Sequence, residues 1–325
     1  MRMTVFGVGG VGGYLAARLA TAPEVDLSVV ARGKHLQAIQ EQGLRLESPM
    51  GDLAVRPEAT DDPRDIGHVD VVFLTVKGTD VPEASERMRP LVGPDTAIVT
   101  FQNGIDSPSQ VSEALPGASV LPGLTYIFST IAEPGVVQHT AGPARYVFGE
   151  PKGAPTGRAD GIGRILAAAG VDAEVVEDVD LAMWSKFIVI CSTAGVTAPS
   201  RLPIHVLRED PATWALFVAL VEEAAAVGRA AGVALGDEVV ESALAFIADI
   251  GPGAYSSLLY DLVNGKPMEL ETLHGTILRL ADEFGVDVPS TRTIYALLSP
   301  WARHNAAPTS DVEMDAINPL ASAGR

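Results

Sequence analysis

The feature that most constrains the fold is a glycine pattern near the start of the chain, Gly7-x-Gly9-x-x-Gly12, which follows a short apolar run at residues 3–6. The residues after it continue with helical spacing. A strand, a tight glycine turn and a helix start are the context of a dinucleotide-binding fingerprint. Gly7 permits the sharp turn, Gly9 lets the backbone approach a pyrophosphate, and Gly12 allows the helix to pack closely on the strand.

This pattern predicts a loop whose backbone amides, at the positive end of a helix dipole, face the phosphates of a cofactor. The predicted cofactor-binding loop consists of Gly7, Val8, Gly9, Gly10, Val11 and Gly12. A lone glycine pattern is weak evidence, but its position between a strand and a helix favours a nucleotide site over a plain glycine turn.

Arg32 follows the second predicted strand, at residues 26–31. A site that prefers NAD usually carries an acidic residue here, which accepts the ribose 2′-hydroxyl. Glu24 and Asp26 lie at the wrong end of the strand for that task, whereas a guanidinium suits a 2′-phosphate. Because no carboxylate competes at this end, the sequence favours NADP(H). The alternative is that Arg32 is a solvated surface arginine.

Strands and helices alternate along the first half of the chain. Apolar runs at residues 69–76 and 96–101 are predicted strands, followed by Lys77 and by Gln102-Asn103-Gly104. Open α/β sheets bind ligands at the carboxyl ends of their strands, where these residues would lie. The alternation predicts a doubly wound parallel sheet of Rossmann type. We expect the short β-rich runs at residues 121–149 to finish this sheet as antiparallel strands.

After Asp178 the pattern changes to consecutive helices. They are predicted at residues 181–196, 211–231, 238–250, 254–263, 267–284 and 291–305. Asp210-Pro211 is a typical helix start, with Asp as the N-cap and Pro at the first helical position. We therefore predict two domains, a Rossmann domain at residues 1–177 and an all-helical domain at residues 178–325 that ends in a loose polar tail.

Composition excludes several classes of function. A net charge of −18 speaks against nucleic acid or an anionic membrane as a partner. The single cysteine, Cys191, excludes an internal disulfide framework. No apolar run reaches the roughly 20 residues of a membrane span, and the chain starts with a strand rather than a signal peptide. We expect a soluble cytoplasmic protein without a metal site, since its histidines show no metal-ligand spacing.

Two polar features stand out in the helical half. Lys186 lies inside an otherwise apolar helix, and a polar segment at residues 255–271 includes Glu269 in the first turn of the next helix. A dehydrogenase needs a group that protonates the carbonyl oxygen as hydride reaches the carbon. The alternatives are that Lys186 only extends from a core helix to solvent, and that Glu269 only stabilises a helix N-terminus.

These residues resemble the ketopantoate reductase family, over nearly the whole chain. The resemblance rests on the glycine loop, Arg32, Lys77, Gln102-Asn103-Gly104, Trp184-x-Lys186, Ser256-Ser257-x-x-x-Asp261 and Glu269. It implies a Rossmann domain joined to a helical domain like that of 6-phosphogluconate dehydrogenase. It also implies reduction of a 2-oxo acid with NADPH, which gives pantoate for pantothenate and coenzyme A synthesis.

The resemblance implies roles as well. Lys186 would be the general acid, Glu269 the carboxylate near nicotinamide and substrate, Asn103 a bridge between cofactor ribose and substrate, Ser257 a hydroxyl for the substrate carboxylate, and Lys77 and Arg32 cofactor contacts. The chemistry agrees with this assignment. Desolvation of a buried Lys186 would lower its pKa, and a nearby Glu269 would oppose the shift and keep the ammonium protonated.

Two substrate-binding positions depart from the family pattern. Pantoate-forming members carry asparagines four and eight residues after the catalytic lysine, where this chain has Ile190 and Ala194. Thr193 and Thr197 are candidates to replace them on the same helix face, although a hydroxyl is shorter than a carboxamide. The reaction type is therefore better supported than the identity of the substrate.

Three hypotheses follow. The first is an NADPH-dependent 2-oxo acid reductase that makes pantoate. The second is a relative with the same hydride chemistry on another small carbonyl or imino substrate, which Ile190 and Ala194 favour. The third is a non-catalytic NADPH-binding sensor, which has no need of an acid such as Lys186. The sequence leaves open the physiological direction and whether the protein forms a homodimer.

Overall fold

The computed structural model describes residues 1–152 and 156–307, so the predicted polar tail lies mostly outside the described residues. The chain forms two compact units, Met1–Met183 and a second unit that begins at Trp184. The first unit contains all the strands of the described chain, and the second is helical. The α/β class and the helical second half are confirmed, while the exact domain division at residue 177 stays a prediction.

The first unit is built on two sheets. Its strands are β1 (Arg2–Phe6), β2 (Asp26–Val30), β3 (Leu44–Glu47), β4 (Leu53–Val55), β5 (Glu58–Thr60), β6 (Val69–Leu74), β7 (Val92–Thr100), β8 (Ser119–Leu121), β9 (Gly123–Glu133), β10 (Val136–Phe148) and β11 (Asp172–Val175). Six of them form a parallel sheet in the order β5-β2-β1-β6-β7-β8. Strands are added first on one side of β1 and then on the other, as in a doubly wound sheet.

The helices of the first unit cover the sheet. They are α1 (Gly10–Leu19), α2 (Gly33–Gln42), α3 (Val81–Arg87), α4 (Ser107–Ala114) and α5 (Arg158–Ala168). Helix α1 follows β1 directly and buries Tyr14, Leu15 and Leu19 in the core. Its apolar, small-residue surface lets it contact strands of both sheets. This placement fixes the glycine loop at the carboxyl end of β1.

The antiparallel strands form a second sheet, which corrects the prediction that they finish the first. Strands β9 and β10 pair antiparallel, and β10 then pairs with β3 and β11 to make a five-stranded sheet with β4. The parallel sheet ends instead with the short strand β8. Turn-forming residues between β9 and β10 indicate that these two strands pair with each other. The strand that pairs with the other edge of β10 comes from a distant part of the sequence, so local patterns do not reveal it.

The second unit consists of helices, most of whose bounds agree with the predicted segments to within a few residues, whereas α11 begins at Thr276 rather than at residue 267. They are α6 (Val179–Ser200, which begins in the first unit), α7 (Ile204–Glu209), α8 (Pro211–Ala230), α9 (Asp237–Asp249), α10 (Ser257–Val263), α11 (Thr276–Phe284) and α12 (Pro289–Ala306). Asp210 caps α8 as predicted, because its carboxylate accepts hydrogen bonds from the amides of Ala212 and Thr213. Helix α7 was not predicted. A single π turn, Glu271–Gly275, precedes α11.

Helices α6 and α8 are long and apolar enough to cross a membrane by length and composition alone, which the sequence analysis did not anticipate. Core helices of soluble proteins pass the same test. In α6, 61% of the most apolar window is buried within the protein, so its composition is explained by packing and is only weak evidence for a membrane span.

Candidate active site

The glycine loop has the backbone geometry that its sequence predicts. Gly7 has a φ of +103°, a conformation that side chains other than glycine's rarely adopt. A Cβ atom on Gly12 would overlap the Gly7 carbonyl oxygen and the Thr75 side chain. The Thr75 hydroxyl donates a hydrogen bond of 2.7 Å to the Gly7 carbonyl, which ties the loop to the end of β6. The close packing expected at Gly12 is therefore confirmed.

Gly9 differs from its neighbours because a Cβ atom there would meet no atom of the described residues within 4 Å. It is the N-cap of α1 and, as a glycine, offers no side-chain hydrogen bond to this helix start. The start of α1 is the positive end of the helix dipole, and space beside Gly9 at such a helix start is the arrangement that binds phosphate groups. The loop fits the pyrophosphate of a dinucleotide.

The second sheet supports the loop from behind, a role that the sequence analysis missed. A Cβ atom on Gly10 would overlap the Ser129 carbonyl of β9. The hydroxyl of the fully buried Tyr146, in β10, donates a hydrogen bond of 2.8 Å to the Val11 carbonyl. The Gly135 amide donates to Nδ1 of His35 at 3.0 Å. Burial lowers the pKa of His35, and the backbone of Val8 opposes this shift.

Arg32 follows the second strand as predicted, at the N-cap of α2, and remains largely exposed, with 73% of its side chain accessible. The expectation that no carboxylate competes for it is wrong. Nη2 of Arg32 lies 3.1 Å from Oδ2 of Asp80, which comes from the turn after β6. A search along β2 alone could not find this partner, because it is 48 residues away in sequence. The 2′-phosphate role of Arg32 stays a prediction.

Lys77 and Asn103 follow β6 and β7, which are neighbours in the parallel sheet, so both lie at its carboxyl edge. The buried Gln102 side chain donates hydrogen bonds to the carbonyls of Leu74 and Val76. These bonds join the ends of the two strands. The sequence pattern includes Gln102 only as part of the family motif, whereas in the structure its side chain holds the strand ends together beside the half-buried Asn103.

Lys186 lies in α6, within the second unit, and is half-buried. Its neighbours Trp184 and Phe187 are buried and pack edge to face, with their ring centroids 5.5 Å apart. Desolvation lowers the pKa of Lys186 from 10.5 to about 8, and the negative charge of Glu269 opposes that shift. The structure therefore brings these two residues together and contains both electrostatic effects expected from the sequence. At neutral pH the ammonium form predominates.

The two threonines of the same helix differ in their contacts. The Thr197 hydroxyl donates to the Thr193 carbonyl at 2.8 Å and shares a hydrogen bond of 2.7 Å with the Ser256 hydroxyl. The Thr193 hydroxyl is buried and has no partner in the part of the chain that the structure describes. Thr193 is thus the better candidate to replace an asparagine, while Ile190 is half-buried and Ala194 is buried.

The serine pair divides into a structural and an accessible residue. Ser256 is buried and caps α10 by accepting a hydrogen bond from the Leu259 amide. Ser257 is exposed at the first position of α10. Of the two hydroxyls, only the one predicted to bind substrate is accessible to a small molecule, and its role stays a prediction.

Glu269 is half-buried and lies two residues before the π turn. Its carbonyl accepts a hydrogen bond of 3.1 Å from the Leu273 amide, whereas the Thr276 amide reaches back five residues to Glu271. His274 lies within this turn and is fully buried. Burial lowers its pKa to about 4, so His274 is neutral. π turns often occur at functional sites, and no local pattern in the sequence indicates this one.

Comparisons with known proteins give the family. The model described as Ketopantoate reductase PanE/ApbA matches residues 3–153, and Ketopantoate reductase PanE/ApbA C terminal matches residues 178–301. The 2-dehydropantoate 2-reductase of Mesorhizobium japonicum is 30% identical over 318 residues, covering 92% of this chain and 97% of that protein. The uncharacterized oxidoreductase YkpB of Bacillus subtilis is 29% identical over 303 residues, covering 93% and 99%.

A solved structure agrees. The PanE/ApbA family ketopantoate reductase from Ralstonia eutropha has a TM-score of 0.86 and 33% identity, covering 94% of this chain and all of that one. The glycine loop, the desolvated lysine and these matches lead to one conclusion: the chain belongs to the ketopantoate reductase family of oxidoreductases.

Proposed function

We propose that this protein reduces a 2-oxo acid to a 2-hydroxy acid with NADPH, and that 2-dehydropantoate is its first candidate substrate. The observation that carries the proposal is the electrostatic state of Lys186. A lysine with a pKa of about 8 beside Glu269 is still protonated at neutral pH, yet it gives up its proton far more readily than an exposed lysine does. A general acid requires this combination.

A bound reduced nicotinamide would supply the hydride that the carbonyl carbon accepts in the proposed reaction. The Lys186 ammonium donates its proton to the carbonyl oxygen as negative charge develops there, and the neutral amine regains a proton from solvent. Glu269 favours the charged form of Lys186 before the transfer. A non-catalytic sensor would gain nothing from the cost of desolvating a lysine, so this arrangement disfavours the third hypothesis.

The remaining assignments rest on the family motifs and on position. Lys77 and Arg32 are proposed cofactor contacts, Asn103 a bridge between ribose and substrate, and Ser257 a ligand of the substrate carboxylate. The nicotinamide cofactor follows from the family and the glycine loop, and the preference for NADP(H) is proposed from Arg32. We also propose a cytoplasmic location and keep the homodimer as a candidate assembly.

A second candidate is reduction of another small carbonyl or imino compound. Ile190 and Ala194 favour it, because an apolar surface offers no partner to the hydroxyl group of 2-dehydropantoate. One relative of similar identity bears only the name of an oxidoreductase, which supports the reaction class more than any particular substrate.

The test is to follow oxidation of NADPH with a panel of 2-oxo acids, including 2-dehydropantoate, and with the corresponding imines. Turnover of 2-dehydropantoate well above that of the other compounds would support the first candidate, and a preference for another compound would support the second. NADPH binding without turnover of any panel member would leave the sensor hypothesis and contradict both.

A further inference from the structure

The ion pair between Arg32 and Asp80 joins two strand ends that lie on opposite sides of β1. Arg32 follows β2, and Asp80 follows β6, within the order β2-β1-β6. Oδ2 of Asp80 accepts from Arg32 at 3.1 Å, while Oδ1 lies 3.4 Å from the Thr79 hydroxyl. Both side chains are accessible, 73% for Arg32 and 40% for Asp80. A ligand can therefore reach both groups.

These two groups favour different cofactors. A guanidinium binds the 2′-phosphate of NADPH, whereas a carboxylate accepts a hydrogen bond from the ribose 2′-hydroxyl of NADH and repels a phosphate. Because the two side chains are in contact, any 2′ substituent that reaches Arg32 also comes close to Asp80. When a phosphate binds Arg32 in place of Asp80, the hydrogen bond between Arg32 and the Asp80 carboxylate is lost.

We propose that Asp80 is a specificity-determining residue that reduces the preference for NADPH over NADH. The inference rests on the proposed function, specifically on the 2′-phosphate role of Arg32. Asp80 weakens NADPH binding through charge repulsion and competition for Arg32, and it offers NADH an acceptor. In NAD-preferring sites the acidic residue usually lies at the end of the second strand. Here Asp80 supplies the carboxylate from the turn after β6, at the same edge of the sheet.

The experiment is to measure the dissociation constants of NADPH and NADH by fluorescence titration, with no substrate present. The proteins are the wild type, Asp80→Asn, Arg32→Ala and the double variant. A matched control is Glu86→Gln, which removes a carboxylate paired with Arg89 at 2.7 Å near the other end of α3. Asp80→Asn keeps the size of the side chain and removes its charge.

We expect Asp80→Asn to bind NADPH about threefold to tenfold more tightly, the range for removing one like charge at a solvated site, with no gain for NADH. The gain should shrink as salt is added, because salt screens exposed charges, and it should be largely lost in the Arg32→Ala background. Glu86→Gln should leave both dissociation constants unchanged.

The outcomes distinguish failure of the inference about Asp80 from failure of the proposed preference for NADPH. If Asp80→Asn weakens NADPH binding, the carboxylate holds Arg32 in position and the inference is wrong. If it changes both cofactors equally, Asp80 is structural and the inference is also wrong. If Arg32→Ala affects NADPH and NADH alike, the proposed cofactor preference fails instead, whatever Asp80→Asn does.

Discussion

The two units prepare their functional groups by different physical means. In the first unit the proposed cofactor loop would use backbone atoms, and its shape depends on positions where a side chain would not fit, such as Gly10 and Gly12. In the second unit the proposed reactive group is a single side chain, Lys186, whose acidity depends on its surroundings. The first arrangement is a matter of steric fit and the second of electrostatics.

This difference determines how substitutions impair each site. A backbone loop supported by Thr75 and Tyr146 loses its shape when one added methyl group overlaps a neighbour. A helix that carries a desolvated lysine keeps its fold when the charged partner of the lysine is substituted, but the pKa of the lysine shifts. Variants of the first unit should therefore change cofactor affinity, and variants of the second should change turnover and its pH dependence.

Lys186→Met should show the largest effect. We expect kcat to fall by about 10²–10⁴-fold, the usual contribution of general acid catalysis, while the NADPH dissociation constant stays unchanged. Stopped-flow or steady-state rates and a fluorescence titration would measure the two quantities. Lys152→Met, at an exposed lysine, is the control. Near wild-type turnover in Lys186→Met would show that this lysine is only a core residue.

Arg32→Ala should come next, with a loss of about 1.5–3 kcal/mol in NADPH binding, the range for a hydrogen bond to a charged group. NADH binding should change little, because that cofactor has no 2′-phosphate. Titration of both cofactors measures the difference directly. Equal losses would assign Arg32 a structural role and remove the argument for NADP(H).

A pair of glycine variants would sharpen the steric side of the comparison. Gly10→Ala should destabilise the first unit by about 1–3 kcal/mol, since its methyl group overlaps the Ser129 carbonyl. Gly9→Ala should keep the melting temperature, because that space is free of protein atoms, yet weaken NADPH binding about tenfold or roughly 1.4 kcal/mol. Thermal unfolding and titration distinguish the two, and a stable Gly9→Ala protein with unchanged affinity would contradict the proposed phosphate site.

Glu269→Gln tests the electrostatic side. In the wild type, kcat/KM for reduction should be constant below a pH of about 8 and fall above it, because the proton donor is lost as Lys186 deprotonates. Removing the negative charge of Glu269 removes the effect that raises the pKa of Lys186. The break in the pH profile should therefore move to lower pH. An unshifted profile would mean that another group controls it.

The smallest effect concerns the substrate. With Ile190 on the lysine-bearing helix, we expect 2-dehydropantoate to have less than about a hundredfold advantage in kcat/KM over 3,3-dimethyl-2-oxobutyrate, which lacks its hydroxyl. Ile190→Asn should increase that advantage, and Ile190→Leu is the control for shape. A larger advantage in the wild type would indicate another partner for the hydroxyl, and the first candidate is Thr193, whose own hydroxyl has no partner among the described residues.

The sequence predicts most of what depends on local chain geometry. The glycine loop, the strands before Lys77 and Asn103, and the Asp210 cap follow from short patterns, and the structure contains them all. It predicts less where a residue's role depends on a distant partner. Asp80 beside Arg32 and the placement of β9 and β10 in a second sheet are of this kind, because each requires contacts between segments that no local periodicity relates.

The π turn at Glu271–Gly275 makes the second unit sensitive to chain length. Such a turn contains one residue more than a regular helix would need. Deleting that residue would let the helix continue smoothly, and it would rotate everything before the turn by about 100° relative to Ile277 and Ala281, which are fixed in the core. Glu269 would then turn away from Lys186 although no side chain had been substituted. In this protein, the inserted residue is thus as much a part of the proposed acid–base pair as the carboxylate.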